Sequence, residues 1–346
     1  MTNWLEALFL GLVQGITEFL PVSSSGHLAV VQTLQDRAAG RSVSGAEHVF
    51  FDVMLHVGTL MAIIVYYRKV VRLSAAGLLG STESPPPYQR PAVVRTGINA
   101  LVATLPLVPY ALIFKKYLDQ TFESLTAAAL GFLVTATVLA ITARLPGGTK
   151  GPSEMTWRDA LLIGIVQMFA PLPGVSRSGL TIVAALAIGL SRAWAVQFSL
   201  LIAVPAILGA AVFEIRKVNP DLLTPERLGP TIAATVLAGL VGYMAIIWLV
   251  RIVRSGRLWY FSVYLVVLAT VILVGEWTGR NRVDGRQPPT LDRPVRNGPR
   301  RPGPGPGADR AFGALDRPHA FGKAEDAGTA GQAFKGRQPP ARLVLG

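Results

Sequence analysis

The sequence predicts an all-α polytopic membrane protein with two inverted-topology repeats, each a re-entrant helix hairpin plus about three transmembrane helices. Three observations predict it. Long apolar stretches run almost free of charge, two further apolar segments are broken by proline and a Ser/Gly cluster, and the first broken segment recurs 153 residues downstream.

The charge content comes first. Only 15% of the 346 residues are Asp, Glu, Lys or Arg, against about 25% in an ordinary soluble domain. Apolar spans are expected at about 49–67, 92–114, 125–143, 194–213, 230–250 and 258–276. Each approaches the roughly 20 residues that a helix needs to cross the hydrocarbon core. Basic clusters such as Arg68, Lys69 and Arg72, or Arg251, Arg254 and Arg257, bound several of them. A soluble enzyme is excluded.

The broken segments are residues 4–20, which end at Pro21, and 159–170, which end before Pro171 and Pro173. Each passes through Ser and Gly before apolar sequence resumes. Non-helical backbone at membrane depth must be buried in protein or line a wet cavity, because lipid cannot satisfy its N–H and C=O groups. Re-entrant hairpins meet that condition.

The two segments are copies. With the 153-residue shift, ten positions between 4 and 26 are identical, including Trp4/Trp157, Gly11/Gly164, Gln14/Gln167 and Ser23/Ser176. Three expected spans lie between the copies, so the second enters the membrane inverted. Inverted repeats with broken helices place ligands near the midplane, where half-helix N-termini favour anions. One side of this topology carries Arg68, Lys69, Arg72, Arg90, Arg95, Arg144, Lys150, Arg251, Arg254 and Arg257; the other carries Lys115, Lys116, Arg216, Lys217 and Arg227. The richer side is expected to be cytoplasmic.

The expected organisation is a membrane-embedded domain over 1–278, with repeat one at about 1–145 and repeat two at about 154–278, followed by a tail over 279–346. The tail is rich in Pro, Gly and Arg and contributes 13 basic against 6 acidic residues to a net charge of +13. Its few apolar residues cannot offset the entropy of ordering, so disorder is expected. Beside a bilayer its natural partner is anionic lipid, and no nucleic-acid partner is expected. The absence of cysteine excludes disulfides, thiolate nucleophiles and Cys-ligated metals. The N-terminal stretch lacks a basic region and a small-residue cleavage site, so a cleavable signal peptide is not expected.

The candidate chemistry lies in the breaks. Copy one reads Gln14-Gly-Ile-Thr-Glu18-Phe-Leu-Pro-Val-Ser23-Ser24-Ser25-Gly26-His27, and copy two reads Pro173-Gly174-Val-Ser176-Arg177-Ser178-Gly179. Where the copies differ, the differences are chemical: Glu18 stands against Pro171, Arg177 against Ser24, and His27 against Leu180. Brought together, a carboxylate, an imidazole, a guanidinium and several hydroxyls suit phosphoryl chemistry. Arg177 can clamp phosphate oxygens, and the Ser/Gly loops at Ser23, Ser25, Gly26, Gly174, Ser176 and Ser178 can cradle the rest. His27 can act as acid, base or nucleophile. Glu18 can hold a divalent cation or orient the histidine. The structural alternatives are an ion pair for Glu18 and Arg177, helix caps for the serines, and bonding to freed backbone for Gln14 and Gln167. Asp52 and His56, at i and i+4 on one helix face, either extend this site or hydrogen-bond between helices.

These motifs resemble the bacterial undecaprenyl-diphosphatase family associated with bacitracin resistance, as does Phe51-Asp-Val-Met-Leu-His-Val-Gly58. The similarity spans roughly residues 3–276. It implies an inverted-repeat helical membrane enzyme of the bacterial cell membrane. The implied reaction removes the terminal phosphate of undecaprenyl diphosphate and recycles the lipid carrier for peptidoglycan synthesis. An extracytoplasmic active site and dependence on Mg²⁺ or Ca²⁺ are also implied, and a homodimer is compatible with it. By motif, the family's essential glutamate falls on Glu18, its histidine on His27, its phosphate-binding arginine on Arg177, and its motif serines on Ser23, Ser24, Ser176 and Ser178. Many members carry Glu where this chain has Gln14, and a neutral amide neither takes a proton nor holds a cation by charge. Attack by Ser24, His27 or activated water all stay open. A polyprenyl-phosphate transporter or flippase using the same midplane site is the alternative; the chemical asymmetry of the copies favours the enzyme.

Overall fold

A computed structural model describes residues 3–284, apart from 41–44, 81–84, 86–87, 123, 146 and 216–223. Most of the expected tail, from residue 285 on, therefore lies outside the described residues, as do Arg216 and Lys217. The described residues form helices and no strand; one isolated bridge joins Lys150 and Leu190. In chain order the helices are α1 (Trp4–Phe19), α2 (Ser24–Ala39), α3 (Gly45–Tyr66), α4 (Arg68–Leu78), α5 (Arg90–Thr104), α6 (Leu107–Phe122), α7 (Leu125–Ile141), α8 (Trp157–Gln167), α9 (Arg177–Ala187), α10 (Arg192–Ile215), α11 (Pro225–Arg254) and α12 (Tyr260–Asp284).

Among the described residues, five stretches are long and apolar enough to cross a membrane: His48–Tyr66, Arg90–Phe114, Arg192–Phe213, Pro225–Arg254 and Tyr260–Thr278. They coincide with five of the six expected spans. The sixth, expected at 125–143, forms α7, a 17-residue helix of about 26 Å at the helical rise of 1.5 Å per residue. The expected span at 92–114 is divided between α5 and α6, because Pro106 lacks an N–H and interrupts the helical ladder. Its Leu105 keeps a right-handed helical conformation, so the apolar path continues through the break.

Both broken segments fold as helix, turn, helix. Leu20 leaves α1 in an extended conformation, the one that a following proline favours. Ser23 then adopts φ 69° and caps α2, its hydroxyl accepting a hydrogen bond from the Gly26 amide at 3.3 Å. In the second copy, Gly174 takes φ 81° and Ser176 caps α9 by accepting from the Gly179 amide at 3.1 Å. The same cap thus recurs at the same register in both copies. A Thr156/Asp159 capping box opens α8, and Asn3 caps α1.

Helix α1 packs along α11, and α8 packs along α5. Glycines permit both approaches: a Cβ at Gly11 would lie 2.6 Å from the Ala234 carbonyl oxygen, and one at Gly164 would lie 2.5 Å from that of Ala103. The start of α1 meets the start of α11, where Trp4 covers Gly229, and the start of α8 meets α5, where Asn99 donates to the Met155 carbonyl. Helix α3 packs on α10 and α11, and α12 on α7. At one end of the bundle the Arg192 guanidinium lies against Gly147 and Gly256, and Arg95 donates to the Pro152 carbonyl. Arg144, Lys150 and Arg257 lie in the loops gathered there, with Arg95, Arg251 and Arg254 on the helix ends beside them. The core between the helices is aromatic and aliphatic, with Phe19, Phe132 and Phe198 fully buried.

Candidate active site

The two turns meet back to back. A Cβ at Gly26 would lie 2.7 Å from the Gly174 Cα and from the Phe132 ring; one at Gly174 would collide with the Ala128 carbonyl. Thr135 of α7 clasps the second turn, donating to the Gly174 carbonyl and accepting from the Ser176 amide, both at 2.9 Å. Ser178 ties the turns together by donating to the Leu20 carbonyl at 3.2 Å.

This contact brings together Glu18, from the last turn of α1, and Arg177, the first residue of α9. Arg177 Nη2 donates to Glu18 Oε1 at 2.9 Å. Glu18 Oε2 accepts from Ser24 Oγ at 2.6 Å and from Gln14 Nε2 at 3.1 Å. The Nε2 atom of His56, from α3, lies 3.5 Å from the same oxygen. Glu18 and Gln14 are buried and Arg177 nearly so. The other guanidinium nitrogen, Nη1, is buried with no hydrogen-bond partner. A buried charged donor without an acceptor is costly, and it marks where an anion belongs. The N-termini of α2 and α9 both open at this junction and favour negative charge.

The remaining sequence candidates fall into place around the pair. Ser23 and Ser25 share a hydroxyl contact at 3.2 Å, and Ser176 and Ser178 share another at 3.2 Å. Ser23 and Ser176 are helix caps, so their hydroxyls are committed to backbone, as are the close-packed Gly26 and Gly174 to each other. Asp52 does not reach Glu18; its Oδ1 accepts from Gln32 at 2.8 Å. The helix-face partner that does reach is His56, whose Nδ1 donates to the Asp52 carbonyl at 2.7 Å. Among the described contacts, the imidazole beside Glu18 is therefore His56. His27 instead donates from Nδ1 to the Ser23 carbonyl at 2.7 Å, places Nε2 2.7 Å from the Tyr264 hydroxyl, and meets the Phe132 ring edge-on. The i,i+4 spacing from Asp52 signalled His56; nothing in the pattern of α12 signalled Tyr264.

Among the described residues no three His, Asp or Glu side chains converge as a cation cage. A cation shared with a diphosphate needs less, because substrate oxygens and water complete its shell around one or two protein oxygens. Glu18 is one such oxygen donor. Gln14 Oε1, buried without a partner next to it, is another.

A family model described as Bacitracin resistance protein BacA matches residues 7–271. The chain belongs to this family. The match covers both turns and every residue of the site from Gln14 to Tyr264. Relatives named undecaprenyl-diphosphatase align over nearly their whole length. That of a Nocardioides species is 37% identical over 281 residues, covering 81% of this chain and 98% of the relative. That of Mycolicibacterium smegmatis is 36% identical over 285 residues, covering 80% and 98%. That of Carboxydothermus hydrogenoformans is 35% identical over 283 residues, covering 80% and 99%.

Proposed function

We propose that the protein is an undecaprenyl-diphosphatase of the bacterial cell membrane. It hydrolyses undecaprenyl diphosphate to undecaprenyl phosphate and inorganic phosphate, returning the lipid carrier to cell-wall synthesis and conferring bacitracin resistance. The observation that carries this reading is Arg177: its Nη2 is held by Glu18 while its buried Nη1 has no partner, at the junction of two helix N-termini.

In this reading the Arg177 guanidinium and the amides of the two turns bind the diphosphate and take up charge as the bridging bond breaks. Ser24 attacks the terminal phosphorus. Its hydroxyl already donates to Glu18 at 2.6 Å, within the reach expected of a nucleophile and its base. The proton passes to Glu18, a Ser24–phosphorus bond forms, and undecaprenyl phosphate leaves. Water then hydrolyses the phosphoserine and restores Ser24. His27, beyond Ser24 on α2, exchanges protons with the leaving or attacking oxygen when that oxygen takes the place of the Tyr264 hydroxyl at Nε2. Mg²⁺ or Ca²⁺ would be held by Glu18 and Gln14 Oε1 and would neutralise diphosphate charge when bound.

The reading places the two broken segments as re-entrant hairpins of inverted repeats. Their packing supports this. α1 runs with α11 and α8 with α5, and α11 ends at the gathered basic loops where α5 begins. The hairpins therefore enter from opposite ends of the bundle. With the basic loops cytoplasmic, the first hairpin enters from the extracytoplasmic side, and the site opens there.

The test is phosphate release from a long-chain polyprenyl diphosphate by detergent-purified protein, with and without Mg²⁺ or Ca²⁺. Wild type is run beside Glu18→Gln, His27→Ala and Arg177→Ala. Metal-dependent release that falls sharply, to a residual level, in all three variants is the expected result. No release by well-folded wild type would overturn the enzyme and favour a lipid-phosphate transporter that uses the same residues for binding.

A further inference from the structure

Tyr264 stands out on its own helix. The surrounding face of α12 is apolar and exposed, with Val263, Val266, Val267 and Val271 all open to the surroundings. A phenol among them is ordinarily explained by the aromatic belt, in which the hydroxyl reaches for headgroups or water. Here the ring stays about half exposed, but its hydroxyl reaches a site residue. Its oxygen lies 2.7 Å from His27 Nε2, and the two ring planes are within 9° of each other.

The other side of the imidazole decides what that contact means. His27 Nδ1 lies 2.7 Å from the Ser23 carbonyl oxygen, and a carbonyl only accepts. Nδ1 therefore carries hydrogen. In the neutral ring Nε2 is then the acceptor, and the Tyr264 hydroxyl donates to it. When His27 is protonated, Nε2 donates and the same phenolic oxygen accepts, so one partner serves both states. Phe132 closes the third side at a centroid distance of 5.0 Å. The Ser23 carbonyl is itself fixed by the left-handed backbone at Ser23 (φ 69°). With Ser23, Tyr264 and Phe132 in place the imidazole has one orientation and one tautomer.

We propose that Tyr264 is a positioning residue for the phosphatase reaction: its hydroxyl, delivered from α12, fixes the ring orientation of His27, whose tautomer the Ser23 carbonyl sets. This rests on the reading of His27 as a working group of the diphosphatase site. Tyr264 acts through His27 and makes no claim on the substrate.

Two measurements on the full chain test it. In the first, Tyr264→Phe, which keeps the ring and its packing, is assayed alone and in a His27→Ala background. A net hydrogen bond is worth about tenfold, so kcat should fall about tenfold with KM within about twofold. In the His27→Ala background the same change should cost nothing further, the signature of coupled residues. An equal loss in both backgrounds would overturn the proposal. In the second, ¹⁵N NMR is recorded on protein labelled at its 4 histidines, the His27 signals being those that His27→Ala removes. They should show Nδ1 protonated and Nε2 bare in wild type, with the Nε2 signal shifted in Tyr264→Phe because it has lost its hydrogen-bond donor; unchanged signals would overturn the proposal. A His27→Ala enzyme with wild-type turnover would instead count against His27 as a working group. The NMR comparison would still decide whether Tyr264 holds the ring.

Discussion

A single methyl group at Gly26 should disable the enzyme from a distance. In Gly26→Ala the new carbon would sit 2.7 Å from the Gly174 Cα and from two Phe132 ring carbons. That is roughly 1 Å short of the ~3.5–4.0 Å at which carbon atoms rest. None of the neighbours can yield cheaply. Gly174 is main chain in a left-handed turn and already abuts the Ala128 carbonyl, and the Phe132 ring is fully buried. The strain separates the two turns, and with them Glu18 from Arg177, whose 2.9 Å bond does not survive an opening of about 1 Å. Overpacking of this kind costs about 1–3 kcal/mol, and a displacement of about 1 Å in a catalytic array costs about 100-fold in rate. Phosphate release from a polyprenyl diphosphate should therefore fall about 100-fold, with a lowered unfolding midpoint in detergent. Gly209→Ala in α10 is the control: an added Cβ meets nothing within 4 Å there, so turnover should be unchanged and helix propensity should add up to about 1 kcal/mol. Wild-type turnover in Gly26→Ala would refute the idea that main-chain contact between the turns sets the site's geometry.

Other expectations follow from the same contacts. Glu18→Gln leaves Arg177 buried and uncompensated, so it should destabilise the protein by about 3–5 kcal/mol; adding Arg177→Met should restore most of the stability, read as the unfolding midpoint, while activity stays lost. Ser24→Ala should lower turnover at least about 100-fold, the scale of a lost proton-transfer partner, and near-normal phosphate release would exclude Ser24 as nucleophile. His56→Ala removes the imidazole beside Glu18 and should cost about tenfold or more, whereas Asp52→Asn, which can still accept from Gln32, should change turnover by less than about threefold; the reverse order would place Asp52 in the site. Chelation of divalent cations should abolish phosphate release, and Mg²⁺ or Ca²⁺ should restore it; full activity in excess chelator would remove the cation from the reaction.

Much of this site was legible before any coordinates, because a membrane makes polar residues conspicuous. Glu18, Arg177 and the two Ser/Gly turns stood out against apolar sequence, and their internal repetition indicated that they belonged together. For Ser23 and Ser176 the pattern leaves capping and ligand contact equally open, and the structure shows them as caps. Partner choice was not legible. Sequence spacing joined Asp52 and His56 to one helix face but could not say which would reach Glu18, since that depends on the rotation of α3 against α1. Tyr264 was invisible because a tyrosine in an apolar span has an ordinary explanation, and only packing of α12 on α7 turns it to His27. The division at Pro106 was likewise masked, because hydropathy averages over a break that backbone hydrogen bonding does not.

The Glu18–Arg177 bond also imposes a timetable on biogenesis. The partners are separated by 159 residues, which a ribosome working at roughly 5–20 residues per second needs about 10–30 s to make. Throughout that interval the first helix pair exists without its guanidinium, and in the proposed re-entrant arrangement a lone carboxylate in the bilayer invites slippage of α1 toward water. His56 is synthesised much sooner and already approaches Glu18 from α3. It is the partner available to hold the carboxylate in place while the second half of the protein is still being threaded into the membrane.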